Sequence, residues 1–220
     1  MYNGAVRVLL FVLVLVQAPP KPPPVITDKS AAEALRELTA DYEKLSAAFA
    51  ALQKQLSQLL DDEQMANRQA VADLLRLSDA LKEYVDKGEL ELSQKKRQVL
   101  IVLPEKTLFR PGQAALTPSG RGLISALAKL VAGMPKRDVQ IGAHTDGTKT
   151  TLEKGDFKLS SERALGILVV FASGGVAANR LSATGYGSTR PLVPNSSGAG
   201  REKNRRIEII LAPSAPDLEP

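Results

Sequence analysis

The chain has 220 residues, a formal net charge of +5, 44% hydrophobic residues and only 4% aromatic ones. That is enough for one domain of ordinary size plus an extension, with a mostly aliphatic core. Cysteine and tryptophan are absent, which excludes disulfides, thiolate catalysis, iron–sulfur clusters, cysteine zinc sites and a lipid-bearing cysteine. The charge is uneven: residues 98–212 hold 16 Lys and Arg against 8 Asp and Glu, whereas residues 26–97 hold 11 against 14. A basic C-terminal part suits an anionic partner, although a solvated basic surface would look the same.

Residues 5–16 form an apolar run broken only by Arg7. A membrane-spanning helix needs about 20 apolar residues, so residues 1–18 read as a signal peptide or short N-terminal anchor. Val16-Gln17-Ala18 supplies a small-residue cleavage pattern, while Pro19 beyond it would hinder a peptidase. Residues 19–27, with Pro19, Pro20 and Pro22 to Pro24, form a polyproline II linker.

Residues 28–97 read as a helical stalk. Leu35, Leu38, Tyr42, Leu45, Phe49, Leu52, Leu56 and Leu59 recur at steps of three and four, about three and a half heptads of a coiled-coil seam. Glu63 then falls on the seam, and the pattern resumes in a shifted register at Leu74, Leu77, Leu81 and Tyr84. The shift is either a stutter in one long helix or a break between two helices that fold back. The first reading makes residues 35–85 a self-association surface; the second makes them a hairpin.

From Gln98 the pattern changes. Val99 to Leu103 is a strand ending at Pro104. Thr117-Pro118 opens a helix that carries Leu123, Leu127, Leu130 and Val131. Asp138 to Ile141 alternates as a strand, and Ser160 is expected to open a second helix that ends near Phe171 before Gly174-Gly175. Arg180 to Thr184 and Arg206 to Ile210 read as two more strands. The fold class is α+β, a β-α-β-α-β-β two-layer domain over residues 98–212, with residues 213–220 a disordered tail.

Four segments gather the polar chemistry: Gly142 to Asp146, Leu159 to Ala164, Gly185 to Gly187, and Gly200 to Arg206. They offer an acid and a base with no nucleophile and no metal cluster, which suits binding rather than catalysis. With Ser160 as N-cap, Arg163 stands in the first helical turn, where a cation opposes the helix dipole. It is better placed there if a ligand carboxylate lies against it. Asp146, just past a strand, is placed to take an ammonium. Together they would grip an amino-acid terminus in an open groove, because burying the pair without ligand costs desolvation. The bland reading is a mutual surface salt bridge. His144, the one histidine, orders the loop that bears Asp146, and Gly185 and Gly187 serve backbone turns. No catalytic residue, cofactor or metal is expected. Nucleic-acid binding through Arg201, Lys203, Arg205 and Arg206 lacks the interleaved aromatics it would need.

These segments resemble the OmpA-like peptidoglycan-binding domain found in outer-membrane protein A, the Pal lipoproteins and the C-terminus of flagellar MotB proteins. The resemblance runs from about Val99 to Leu211. It rests on Leu108-Phe109 with Gly112 and Leu116, His144-Thr145-Asp146, Leu159-Ser160-x-x-Arg163-Ala164, Gly185-Tyr186-Gly187 with Pro191, and Asn204-Arg205-Arg206. It implies that Asp146 and Arg163 clamp the free end of diaminopimelate in the peptidoglycan stem peptide. Thr145, Asp156, Leu159, Ser160 and Arg206 would line that site, with His144 and Asn204 supporting it. Two positions depart from the family pattern: Asp156 where many relatives carry Asn, and Ala143 where many carry Gly. The expected protein is a non-enzymatic periplasmic tether, associated with the outer membrane of a Gram-negative bacterium. Its partners would be peptidoglycan, a second copy through residues 35–85 and another envelope protein, with no nucleic acid. A stator-type channel subunit needs a full transmembrane helix bearing an acid, which the short run lacks. The alternative is an envelope anion- or protein-binding module built on Arg201 to Arg206. No Ser/His/Asp spacing or close carboxylate pair supports a hydrolase.

Overall fold

In the second half of the chain, strands alternate fully buried aliphatic residues with less buried ones, which is what burying one sheet face requires. The computed structural model describes residues 29–147 and 153–214. The signal segment at 1–18, the linker at 19–27 and the tail beyond Ser214 lie outside the described residues.

Helix α1 spans Lys29–Ala80, 52 residues or about 78 Å at 1.5 Å per residue. No proline or glycine interrupts it. Leu81 ends it, and a one-turn helix α2 (Lys82–Asp86) follows. The chain divides into two compact units at Asp62 and Glu63, which is where the apolar seam changes register. Before that point Leu38, Leu45, Phe49, Leu52, Leu56 and Leu59 are 41–70% exposed. After it Ala70, Leu77 and Leu81 are buried in the core of the second unit. The register shift therefore marks where the helix begins to pack on its own domain. Leu77 and Leu81 are occupied there, which narrows the expected self-association surface from residues 35–85 to the exposed seam before Glu63. The second compact unit begins at Glu63 and so takes in the end of α1 together with residues 98–212.

The second unit is built on a five-stranded sheet of order β1-β2-β5-β3-β4: β1 (Glu91–Lys95), β2 (Gln98–Pro104), β3 (Arg137–His144), β4 (Leu181–Gly187) and β5 (Arg206–Pro213). Only β3 and β4 are parallel. Central β5 pairs Ile209 with both Ile101 and Ile141. Val99, Ile101, Leu103, Val139, Ile141, Ile207, Ile209 and Leu211 make the inner face. Onto it pack α4 (Pro118–Ala132), through Leu123, Ile124, Leu127 and Val131, and α5 (Glu153–Ser173), through Ala164, Ile167, Val170 and Phe171. The layers are as expected, and Thr117 caps α4 by accepting from Gly120 N at 3.0 Å, with Pro118 in the first turn.

Three elements differ from the sequence reading. β1 is an added edge strand; its Glu-Leu-Ser-Gln-Lys is polar, as an exposed edge tolerates, and its hairpin turns at Lys96 with φ of 55° instead of through an Asn-Gly pair. A four-residue helix α3 (Glu105–Leu108) and a seven-residue helix α6 (Gly198–Asn204) are too short for any periodicity to announce. The last strand reaches Pro213, which pairs with Arg137, and Ser214 Oγ bonds Asp138 at 2.6 Å. Those two residues close the pairing of central β5 with β3, where the tail was expected to begin.

A buried ion pair fastens α1 to this unit. Arg137 Nε donates to Asp73 Oδ2 at 2.7 Å, and its Nη1 donates to Arg97 O at 2.6 Å. Both charged side chains are over nine-tenths buried.

Candidate ligand-binding site

β3 delivers His144, and the chain turns at Thr145 and Asp146. The turn is tied to β4 by Thr145 N donating to Gly187 O at 2.9 Å. Gly187, at φ of 52°, returns its own N–H to Ser160 Oγ at 3.0 Å. Ser160 Oγ donates in turn to Asp156 O at 2.8 Å. Because α5 begins at Glu153, Ser160 lies inside the helix and does not cap it, and Arg163 stands beyond the first turns. The dipole argument for a carboxylate at Arg163 therefore falls; the hydroxyl instead joins helix to strand. Gly185 serves contact, not a turn: a Cβ there would lie 2.3 Å from Ser161 N, so α5 could not rest on β4.

Arg163 is 2% exposed and Asp146 is 5% exposed, so the expected open groove is not what holds them. Internal counter-ions make their burial tolerable. Arg163 Nη2 donates to Glu105 Oε1 at 2.6 Å, its Nε donates to Gln113 O at 2.9 Å, and its guanidinium carbon lies 4.9 Å from the centre of the Phe109 ring. Arg205 Nη1 pairs with Asp146 Oδ2. Arg205 Nε is 3.4 Å from Glu105 Oε2, and Glu105 N donates to Arg205 O at 2.9 Å. Acid and base thus alternate from Asp146 to Arg205 to Glu105 to Arg163. Two polar atoms beside this chain lack hydrogen bonds, Glu105 Oε2 and the buried Thr145 Oγ1.

Other expected residues lie elsewhere. Arg206 is on the outer sheet face, opposite the inner row of Ile207 and Ile209. There it contacts Glu208 at 2.7 Å and donates to Asn204 O and Arg190 O. His144 shares that face, stacked on Tyr186 at 4.9 Å between centroids, with Arg190 lying 4.0 Å over the same tyrosine. His144 Nε2 stands 3.6 Å from Glu208 Oε2, and both its ring nitrogens lack a hydrogen bond. The nearby imidazole and the Arg206 guanidinium hold the Glu208 carboxyl down to about 2 against the opposing effect of burial. At 3.6 Å the imidazole is beyond hydrogen-bond range, so Arg206 is the firmer partner. This face encloses a cavity of about 170 Å³. Asn204 is a structural staple: it accepts from Leu192 N and Val193 N and donates to Val193 O and Asn195 Oδ1. Asp156 is buried and accepts from Ser188 Oγ at 3.3 Å; Leu159 is half-buried.

The structure thus brings together Thr145, Asp146, Asp156, Ser160 and Arg163 around one end of the sheet, and leaves Arg206 and His144 on the other face. Sequence reasoning missed Glu105, Gln113 and the role of Arg205. Arg205 stood in the Asn-Arg-Arg motif, and the facing rule for a strand could have separated it from Arg206. Nothing local marks Glu105. A cavity of about 430 Å³ is lined by Lys106, Lys203, Arg205 and Arg206 together with Glu91 and Glu202.

A family model described as the OmpA family matches residues 108–205. Motility protein B of Helicobacter pylori is 34% identical over 123 residues, covering 54% of this chain and 48% of its own length. Outer-membrane lipoprotein YfiB of Pseudomonas aeruginosa is 30% identical over 109 residues, covering 50% of this chain and 64% of its own length. The crystal structure of the periplasmic domain of Helicobacter pylori MotB superimposes with a TM-score of 0.53 at 33% identity, covering 60% of this chain and 85% of that one. The chain spans only 48% and 64% of the two curated relatives' lengths, and what they share is this domain.

Proposed function

Because the chain belongs to the OmpA family through residues 108–205, we propose that it is a non-catalytic cell-envelope protein. Its domain binds peptidoglycan noncovalently and tethers the envelope to the cell wall. The ligand is the free amino-acid end of diaminopimelate in the stem peptide: Asp146 takes the ammonium and Arg163 the carboxylate. The observation that carries this reading is the alternating charge chain in the matched segment. Each clamp residue is already held by a group of the charge its ligand would bring, Arg205 on Asp146 and Glu105 on Arg163. Thr145 Oγ1, buried and without a hydrogen bond, adds a polar contact beside Asp146. Arginine's planar fork suits a carboxylate in a way lysine does not.

The setting is the periplasm, at the outer membrane, by likeness to a relative named as an outer-membrane lipoprotein and to a solved periplasmic domain. No helix among the described residues is long and apolar enough to cross a membrane. The exposed seam from Leu38 to Leu59 pairs copies of the chain, which raises avidity for a multivalent wall through effective concentration.

Co-sedimentation of the full chain with purified diaminopimelate-type peptidoglycan tests the clamp. The parent pellets, and Asp146→Ala and Arg163→Ala stay in solution. Equal pelleting of all three would show charge attraction without a clamp and overturn the site. A second reading, an anion- or protein-binding module, rests on the cavity around Lys106 and Lys203. Lys203→Ala leaves sedimentation intact if the clamp carries binding.

A further inference from the structure

We infer that Glu105 makes this site select zwitterions over plain anions by standing in for the ligand carboxylate, and that Arg205, standing in for the ligand ammonium, tempers that preference. They act this way only if Asp146 and Arg163 hold an amino-acid terminus, as proposed above.

Glu105 Oε1 occupies Arg163 at 2.6 Å, as a ligand carboxylate would, and Arg205 occupies Asp146, as a ligand ammonium would. The two stand-ins are already adjacent, with Arg205 Nε 3.4 Å from Glu105 Oε2 and a backbone hydrogen bond of 2.9 Å between them. That adjacency sets the energetics of exchange. When a zwitterion enters, its carboxylate displaces Glu105 from Arg163 and its ammonium displaces Arg205 from Asp146. The displaced pair closes on itself, and Glu105 Oε2, which lacks a hydrogen bond in the free state, gains a partner. Every charge stays compensated. Arg205 has room to move, with about a third of its side chain exposed.

A ligand with a carboxylate and no ammonium cannot complete this exchange. It displaces Glu105, but Arg205 stays committed to Asp146, and two carboxylates are left sharing one buried neighbourhood. Like charges at such range are penalised far more than in bulk water. A domain with 16 Lys and Arg against 8 Asp and Glu over residues 98–212 attracts anions generally, so a local acid beside the binding arginine is what restores selectivity.

Removing either stand-in moves selectivity in opposite directions, which a merely structural role would not do. Calorimetric titration of the full chain with diaminopimelate and with pimelate, the same dicarboxylate without amines, reads the ratio of the two affinities. The parent prefers diaminopimelate. Glu105→Gln lowers the ratio by about tenfold, because plain carboxylates gain access to Arg163; Arg205→Gln raises it, because a ligand ammonium no longer competes with Arg205 for Asp146. If both variants move the ratio the same way, or neither moves it while the parent still binds diaminopimelate, the inference fails and the clamp stands. If the parent binds neither compound and does not pellet with peptidoglycan, the proposed function fails and takes the inference with it. Glu105→Asp, which keeps the charge, retains the parental ratio and covers a Glu105→Gln protein that does not fold.

Discussion

Arg137 and Arg163 are both 2% exposed and both bonded to a carboxylate and a backbone carbonyl, yet their surroundings differ. The partner of Arg137, Asp73, sits on α1, is itself fixed by Gln69 at 2.9 Å, and ends the network. The partner of Arg163, Glu105, leads on to Arg205, a partly exposed residue that leads on to Asp146. A closed pair can only be broken; an open chain can trade partners. Arg206 with Glu208 on the outer face is intermediate, buried on one side and 21% exposed on the other.

Breaking the closed pair has the largest expected effect. Asp73→Ala leaves Arg137 buried without its counter-ion and destabilises the domain by about 3–5 kcal/mol, measured by urea unfolding. Peptidoglycan binding of the protein that remains folded is unchanged. The intermediate pair shows itself through pH. Glu208 is held down to about 2, so its contribution is complete above the ordinary glutamate value of about 4.3 and is lost as pH falls through about 2. After a discount for its partial exposure the loss is roughly 2 kcal/mol. Glu208→Gln flattens that acid limb in a plot of Tm against pH; an unchanged limb would show that the pair contributes nothing.

The open chain responds more weakly in stability and more strongly in function. Asp146→Asn frees Arg205 to swing into solvent, costs about 1 kcal/mol in the same urea experiment, and abolishes sedimentation with peptidoglycan. A loss as large as that of Asp73→Ala would make Asp146 structural and close the distinction. At the bottom of the scale lies the exposed pair Lys106 with Glu202, 73% and 50% exposed. Lys106→Ala leaves Tm unchanged within error, as surface pairs do.

Much of the fold was legible because it rests on local rules. Thr117-Pro118 marked a helix start, the alternation of Val139 and Ile141 marked a strand, and the register shift after Leu59 marked a change in what the helix faces. Where the reading erred, a local signal pointed the wrong way or was missing. Ser160 has a capping residue's chemistry but spends it on Gly187, a partner 27 residues away. β1 and α6 are polar and short, so pairing and docking define them, and composition does not.

The sequence by itself determined the order of the main strands and helices, the aliphatic inner face and the motifs that the family model matches. Periodicity and motif spacing are properties of neighbouring residues, and they survive without coordinates. Only the tertiary structure decided which charges compensate which. Glu105 reaches Arg163 across 58 positions and Arg205 reaches Asp146 across 59, and no local pattern encodes a pairing at that separation. It also decided that Arg205 faces Asp146 while Arg206 faces Glu208 on the other side of the sheet, because the strand begins between them and alternation then assigns every side chain after it to a face.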